Sequence, residues 1–189
     1  MARIAPVESA TASSDVAKVL DDLFGDWGER WRVVETIANS PALLDMFVHV
    51  HTRLKTCSLS DDDREVIDLW MAESNGCHYC IPAHILASRH TGLPDSEIAA
   101  ILDGIEPADA RRQLILKATK AIQETKGGLA DDVLEKFQDE GLSRENLFDI
   151  IGEIAHCTIT NYSNRLAQTD LDNFLEDVRR LLAYIAKIS

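Results

Sequence analysis

The sequence has few of the features that mark membrane, secreted or nucleic-acid-binding proteins. Its longest apolar runs, such as "LLDMFVHV" and "LLAYIAKI", are far shorter than the roughly 20 residues that a membrane-spanning helix requires. The first residues, "MARIAPVESATASSD", lack the apolar core of a signal peptide. Basic residues form no cluster, and 19 Lys and Arg against 32 Asp and Glu leave a net charge of -13. This charge argues against nucleic acid and anionic membranes as partners, and we expect a soluble, cytoplasmic protein.

Convincing strand patterns are also absent, and apolar residues recur at helical spacing along almost the whole chain. Ser40 and Ser60 are predicted to cap helix N-termini, and glycines such as Gly25 and Gly92 are predicted to end helices. The 46% apolar content of 189 residues is enough to bury a core without disulfide bonds. We therefore predict an all-α bundle of about eight helices that forms a single domain over residues 1–189.

Cysteine is scarce, but two of the four cysteines stand three residues apart in "GCHYCIPAH". In a reducing compartment, closely spaced cysteines indicate metal binding or redox chemistry more often than a structural role. Pro82 is tolerated only in the first turn of a helix, so a helix is predicted to start near residues 79–81. Cys77 and Cys80 then lie at a helix N-terminus, where the helix dipole lowers the pKa of a thiol and favours the thiolate.

Two ionisable side chains are predicted to share the pocket of these cysteines. His84 follows Cys80 by one helical turn and lies on the same face, close enough to exchange a proton with it. The preceding helix ends just before the cysteines, so that a tight reversal packs it against the cysteine helix. Its inward face is predicted to include Glu65, Leu69 and Ala72, which offers a carboxylate to the pocket.

The chain also resembles itself weakly when it is shifted by 80 residues. The spacing Glu-x11-Cys occurs at the cysteine pair and again from Glu145 to Cys157. This repeat suggests a degenerate internal duplication, with halves around residues 38–105 and 120–189. The residues of the second copy that replace the second cysteine and the histidine are Thr160 and Asn164.

The arrangement Glu65-x11-Cys77-His78-Tyr79-Cys80-x3-His84, preceded by "NSPALLDMF" and "LS", resembles the alkylhydroperoxidase D-like members of the carboxymuconolactone decarboxylase family. The resemblance covers roughly residues 38 to 105, with a weaker echo at 140 to 170. It implies an all-helical homo-oligomer that acts as an antioxidant peroxidase through a redox-active disulfide, without a cofactor. The decarboxylases of the family lack the cysteine pair, which argues against that activity.

The resemblance also implies roles for individual residues. Cys80 would attack a hydroperoxide, Cys77 would resolve the resulting sulfenic acid, and His84 and Glu65 would relay protons. The reductant would be a small dithiol or a dihydrolipoyl-type protein. Some members carry a histidine just before the second cysteine, where this chain has Tyr79.

Two other functions remain open. One is a non-catalytic zinc or small-ligand binding module. A structural zinc site needs four ligands, of which Cys77, Cys80 and His84 supply three, and no second Cys-x-x-Cys occurs in the chain. The other is a general dithiol oxidoreductase acting on protein disulfides, which would be expected to show a thioredoxin-like mixture of strands and helices.

The remaining expectations concern the substrate pocket and the other thiols and imidazoles. An apolar pocket for an organic hydroperoxide is predicted from Trp70, Met71, Tyr79 and Ile81. Cys57 and Cys157 are interpreted as buried core residues. His51 is interpreted as a surface or core side chain, and His156 is left without a role.

Overall fold

Helices account for all the regular secondary structure in residues 2–178, the part of the chain that this computed structural model describes. The prediction of an all-α fold is therefore confirmed. The helices are α1 Ser14–Trp27, α2 Arg32–Ile37, α3 Pro41–Leu54, α4 Asp61–Ser74, α5 Cys80–Thr91, α6 Asp95–Leu102, α7 Ala110–Thr125, α8 Asp131–Asp139 and α9 Arg144–Ala167. Residues 173–178 are also helical.

The predicted helix starts are confirmed at the positions where the sequence has a capping residue. The Ser40 hydroxyl accepts a hydrogen bond from the backbone N–H of Leu43 and so caps α3. Ser60 and Asp63 form a reciprocal capping box at the start of α4. α9 begins with the same device at Ser143. These interactions span only three residues, and for that reason the local sequence is enough to predict them.

Two details near the N-terminus differ from the prediction. α1 runs through Gly25 and ends at Gly28, where φ is 75°, a conformation that glycine adopts without strain. α2 was not expected, because six residues are too few to show a helical period. Residues 33–37 of this short helix are all buried, so packing against the rest of the protein supports it.

α4 lies at the centre of the fold and packs against α5, α6, α7 and α9. Its apolar residues point in all directions, as expected for an enclosed helix, and Val66, Ile67, Leu69 and Met71 are all at most 3% exposed. These four residues join α6, α7 and α8 in one hydrophobic cluster. A second cluster is built from α1, α2, α3 and the cysteine turn.

Within residues 2–178, no helix combines the length and the apolar character needed to cross a bilayer. The proposed duplication stays a prediction, although α4 and α9, the helices that begin with a capping box, pack against each other. The last part of its second half, including "LLAYIAKI", lies outside the described residues.

Candidate active site

The cysteine pair lies in the turn between α4 and α5. α4 is capped by Asn75 and followed by Gly76, whose φ of 60° is rarely adopted by residues with a side chain. The backbone N–H of Cys77 then donates to the Ala72 carbonyl over 2.9 Å, which closes the turn. α5 begins at Cys80, in agreement with the start that Pro82 predicts.

Cys77 and Cys80 are joined by a disulfide bond, but their surroundings differ. Cys77 is fully buried, and its Sγ accepts a hydrogen bond of 3.2 Å from the backbone N–H of Cys80. Cys80 borders a cavity, and its Sγ accepts a hydrogen bond of 3.4 Å from Nδ2 of Asn164 on α9. Of the two sulfur atoms, that of Cys80 is therefore the one next to the space where a substrate can bind.

The cavity at Cys80 has a volume of about 370 Å³. The aromatic rings of Trp27, Trp31 and Phe47 form part of its wall. The ionisable groups in the wall are His51, Arg64, Glu65, Asp68, Tyr79, His84 and His156. A space of this size, with apolar surfaces and a few polar groups beside a sulfur atom, is typical of a site for a small organic molecule.

Glu65 and His84 meet in this cavity as predicted. Nδ1 of His84 lies 3.3 Å from Oε2 of Glu65 and 3.4 Å from Oδ2 of Asp68. Burial alone would lower the pKa of His84, but the Asp68 and Glu65 carboxyl groups outweigh that effect and raise this pKa to about 9. At neutral pH the imidazole therefore carries a positive charge in the same cavity as Cys80.

Asp68 is a member of this site that the sequence did not reveal. It is buried on α4, one turn after Glu65, and it accepts a hydrogen bond of 2.8 Å from the Cys157 thiol. Burial raises the pKa of Asp68 well above the usual range of a carboxyl group, and the nearby charge of Glu153 adds to the rise. Burial also raises the pKa of Cys157, so this thiol keeps its proton and acts as a hydrogen-bond donor.

A second ionic group links α4 to α9. Nε of Arg64 donates to Oε2 of Glu153 over 2.8 Å, and the other oxygen of Glu153 lies 3.1 Å from Nδ1 of His156. Burial would raise the pKa of Glu153, but His156 and Arg64 together lower it to about 2. Glu153 is therefore a carboxylate held between a guanidinium and an imidazole.

The aromatic wall continues into two histidine rings. The Phe47 ring stacks on His51 and on His156, with centroids 5.8 Å and 5.3 Å away. Neither ring nitrogen of His51 has a hydrogen-bond partner among the described residues. Burial and the nearby His156 lower the pKa of His51 to about 4, so its ring is neutral and contributes surface rather than charge.

Residues 41–124 match the carboxymuconolactone decarboxylase family. The matched stretch runs from the start of α3 to the end of α7 and contains both cysteines, Glu65 and His84. The resemblance read from the motif is thereby confirmed. A comparison with curated proteins gives no match.

Solved structures share the fold. A peroxidase-related protein from Ralstonia eutropha JMP134, described as an alkylhydroperoxidase AhpD core, superimposes with a TM-score of 0.80 at 18% identity and covers 92% of this chain and 94% of its own. A peroxidase-related protein from Silicibacter sp. TM1040 gives 0.74 at 18% identity, with coverages of 86% and 87%. The debrominase Bmp8 gives 0.70 at 15% identity, with coverages of 92% and 94%. The fold is therefore AhpD-like.

Tyr79 occupies the position where some family members have a histidine. Its hydroxyl takes part in two hydrogen bonds that hold the cysteine turn in place. Its hydroxyl donates a short hydrogen bond to Asp172 and accepts one of 3.4 Å from the backbone N–H of Val33. Burial and the Asp172 charge raise the pKa of Tyr79. The hydroxyl is thus engaged in holding the cysteine turn against α2 and the segment after α9. His78 lies outside the cavity wall, and its Nε2 lies 2.9 Å from the Thr169 carbonyl oxygen.

The predicted composition of the apolar pocket is wrong except for Tyr79. Trp70 donates a hydrogen bond of 2.8 Å to Gln123 on α7, and Met71 is buried in the cluster that involves α6 and α7. Position 70 lies about 140° around α4 from Glu65, so the two side chains leave the helix in different directions. Ile81 packs between the two core clusters and does not border the cavity. The aromatic wall comes instead from α1, α3 and the segment between α1 and α2.

The residues on the inward face of α4 also differ in part from the prediction. Ala72 packs with the cysteines as predicted, whereas Leu69 belongs to the other cluster and Asp68 takes its place in the site. Cys157 is buried as expected, and Cys57 is only partly buried.

The residues of α9 that sequence reasoning missed carry a recognisable signal, which is a row of buried polar side chains at helical spacing. The row consists of Glu153, Cys157, Thr160 and Asn164.

Proposed function

We propose that this protein is a thiol-dependent peroxidase that reduces organic hydroperoxides through the Cys77–Cys80 pair. The observation that carries the proposal is the asymmetry of the disulfide. Cys80 borders a cavity that also holds a charged imidazole, while Cys77 is fully buried behind it. A positive charge near a cysteine favours the thiolate, which is the nucleophilic form.

The proposed cycle has two steps on the enzyme. The Cys80 thiolate attacks the terminal oxygen of ROOH, the O–O bond breaks, and ROH leaves after its oxygen takes up a proton. The Cys77 thiol then attacks the Cys80 sulfenic acid, which forms the disulfide and releases water. An external small dithiol or dihydrolipoyl group reduces the disulfide and completes the cycle. In this cycle His84 and Glu65 exchange protons with Cys80.

The two alternatives receive less support from the geometry. The clusters of potential metal ligands among the described residues are Asp68, Glu153, His156 and Cys157, and Glu65, Asp68 and His84, so neither includes a cysteine of the motif. A protein disulfide is also a poor substrate, because Cys80 is only 2% exposed and lies inside a cavity. A small molecule reaches such a sulfur atom more easily than a second protein does.

A second candidate reaction is the reductive removal of a halogen from a small aromatic ring. The debrominase Bmp8, of which a cysteine-to-alanine variant was crystallised in complex with 2,3,4-tribromopyrrole, shares this fold at 14% identity. The rings of Trp27, Trp31 and Phe47 could stack on such a substrate here. The reaction would convert the dithiol and an aryl bromide into the disulfide, the unbrominated ring, bromide and a proton.

Thiol counting with metal analysis of the same sample tests the proposal. The reduced protein is expected to lose two titratable thiols on addition of one equivalent of cumene hydroperoxide. The Cys80→Ser variant is expected to lose no thiols on the time scale of the wild-type reaction. Cys57→Ser is the matched control outside the site and is expected to lose two thiols, like the wild type. Stoichiometric zinc together with thiols that resist the peroxide would overturn the proposal and favour the binding module. Consumption of tribromopyrrole in place of the peroxide would favour the dehalogenation.

A further inference from the structure

The proposed cycle leaves one proton unaccounted for. When the O–O bond breaks, the departing organic oxygen is a strong base and needs a proton donor. His84 is held by Asp68 and Glu65, and its positive charge serves the Cys80 thiolate. The donor for the departing oxygen is expected to be a separate group that borders the same cavity and keeps one polar atom free for the substrate.

His156 has these properties. It is 7% exposed and borders the cavity beside Phe47. Its Nδ1 lies 3.1 Å from Glu153, whereas its Nε2 is buried and has no hydrogen-bond partner in residues 2–178. An unpartnered polar atom in a buried position is costly unless a ligand satisfies it, so this nitrogen marks a place where a substrate atom is expected.

Glu153 and Arg64 hold the His156 ring in place beside the cavity. The Glu153 carboxylate accepts from Nδ1, and Arg64 binds the other oxygen over 2.8 Å, which fixes the orientation of the carboxylate. A carboxylate bound at Nδ1 fixes the orientation of the imidazole ring and leaves Nε2 as the nitrogen that can exchange a proton with a ligand. The arrangement is a histidine oriented by an acid, as in other proton-transfer sites, with Nε2 left for the substrate.

We propose that His156 is the general acid of the peroxide step, which donates the proton on Nε2 to the departing organic oxygen. This proposal rests on the proposed peroxidase function. In the step, the Cys80 sulfur forms a bond to the terminal oxygen of ROOH and the O–O bond breaks. The hydroxyl stays on sulfur as the sulfenic acid, the organic oxygen takes the proton from Nε2 and leaves as ROH, and His156 becomes neutral. Water or the next reductant returns the proton.

The test compares two peroxides that differ in the base they release. Cumene hydroperoxide releases an alkoxide, which needs a proton, whereas peroxybenzoic acid releases a carboxylate, which does not. Both peroxides carry a phenyl ring, so the aromatic side chains of the cavity contact a similar group in each case. Sulfenic acid formation at Cys80 is followed by rapid quenching with dimedone and mass spectrometry in a Cys77→Ser background, which isolates this step from the rest of the cycle.

In that background, His156→Gln is expected to slow the reaction with cumene hydroperoxide by about a hundredfold, the lower end of the usual contribution of general acid catalysis. The reaction with peroxybenzoic acid should change little. Glu153→Gln, which leaves the His156 ring in place, should give a smaller loss with the same selectivity. His49→Gln is the matched control, because His49 is an exposed histidine on α3 outside the cavity.

Equal losses with both peroxides in the two site variants would show a structural role and overturn the assignment, as would no loss with either peroxide. A parent Cys77→Ser protein that reacts with neither peroxide would overturn the proposed peroxidase function itself, and His156 would then have no peroxide step to serve. A parent that reacts with both, and a loss confined to cumene hydroperoxide, supports both proposals.

Discussion

Asp68 of α4 lies 3.4 Å from the imidazole of His84 on α5, inside the protein and beside the cavity of Cys80. Together with Glu65, it gives one histidine two acidic neighbours. Asp68 therefore helps to set the charge state of the histidine that lies one helical turn after Cys80. It also connects the site to α9, because Asp68 accepts a hydrogen bond from Cys157.

The first prediction concerns the titration of His84. In the wild-type protein, we expect the ring to stay protonated at neutral pH and to lose its proton near pH 9. Since this pKa is raised above 6.5, the stabilisation that the proton brings is complete below pH 6.5 and is lost as the pH rises through about 9. Asp68→Asn removes one carboxyl group and should lower the pKa. NMR titration of the imidazole nitrogens measures both values, and identical titrations would contradict the prediction.

The second prediction separates the two cysteines. The Cys77→Ser variant should accumulate a sulfenic acid at Cys80 after peroxide treatment, because the cavity borders Cys80 and the resolving thiol is gone. Cys80→Ser should yield no trapped species at Cys77, which is fully buried. Dimedone labelling followed by peptide mass spectrometry identifies the residue. Trapping that occurs only in the Cys80→Ser variant would reverse the two roles.

The third prediction concerns Glu65 as a proton carrier. Glu65→Gln keeps the shape of the side chain next to His84 but cannot accept a proton, so peroxide turnover should fall by about a hundredfold while the fold is kept. Glu73, two turns later on α4, is exposed and outside the cavity, so Glu73→Gln should cost little. Steady-state turnover of both variants provides the comparison. Equal losses, or no loss at Glu65, would remove this carboxylate from the mechanism.

The fourth prediction concerns self-association. Phe148, Tyr162 and Leu166 are 75%, 58% and 64% exposed, and helical spacing places them on one face of α9. We expect this face to be buried in a contact between copies of the chain, because large exposed apolar patches commonly mark such interfaces. Light scattering should give a mass above the 21.0 kDa of one chain at micromolar concentration.

Phe148→Glu combined with Leu166→Glu should shift that mass toward a single chain, because two charges in the contact would have to be desolvated. Glu135→Ala on α8 is the control, since it is an exposed position away from this face. A wild-type mass of one chain would show that the protein does not associate. An unchanged mass in the double variant would place the contact elsewhere.

The fifth prediction concerns the stability of the cysteine turn. Tyr79→Phe removes the hydroxyl that donates to Asp172 and leaves this buried carboxyl group without that donor. The free energy of unfolding should fall by about 1–3 kcal/mol. Urea denaturation measures the change, and Thr52→Val at an exposed position of α3 should alter it little. Similar stabilities for the two variants would mean that the Tyr79 hydrogen bond contributes nothing net.

Local sequence was sufficient for the helical elements that begin with clear capping signals. The capping interactions of Ser40 and Ser60 and the position of Pro82 act within one turn of the chain, so the starts of α3, α4 and α5 followed from them. Cys77, Cys80 and His84 also lie close together within a single stretch of eight residues, so their pattern can be recognised from the sequence. The family resemblance rests on this local pattern, and it led to the AhpD-like fold that the solved structures share.

Only the tertiary structure decided the remainder of the site. The contacts of Arg64 with Glu153 and of Cys157 with Asp68 each join residues 89 positions apart in the chain. They exist because α9 packs against α4, and no rule of local spacing specifies that packing. The aromatic wall likewise depends on how α1 and α3 lie against the cysteine turn. Short-range hydrogen bonds and steric limits can be read from neighbouring residues, whereas the choice of buried polar partners follows from long-range packing.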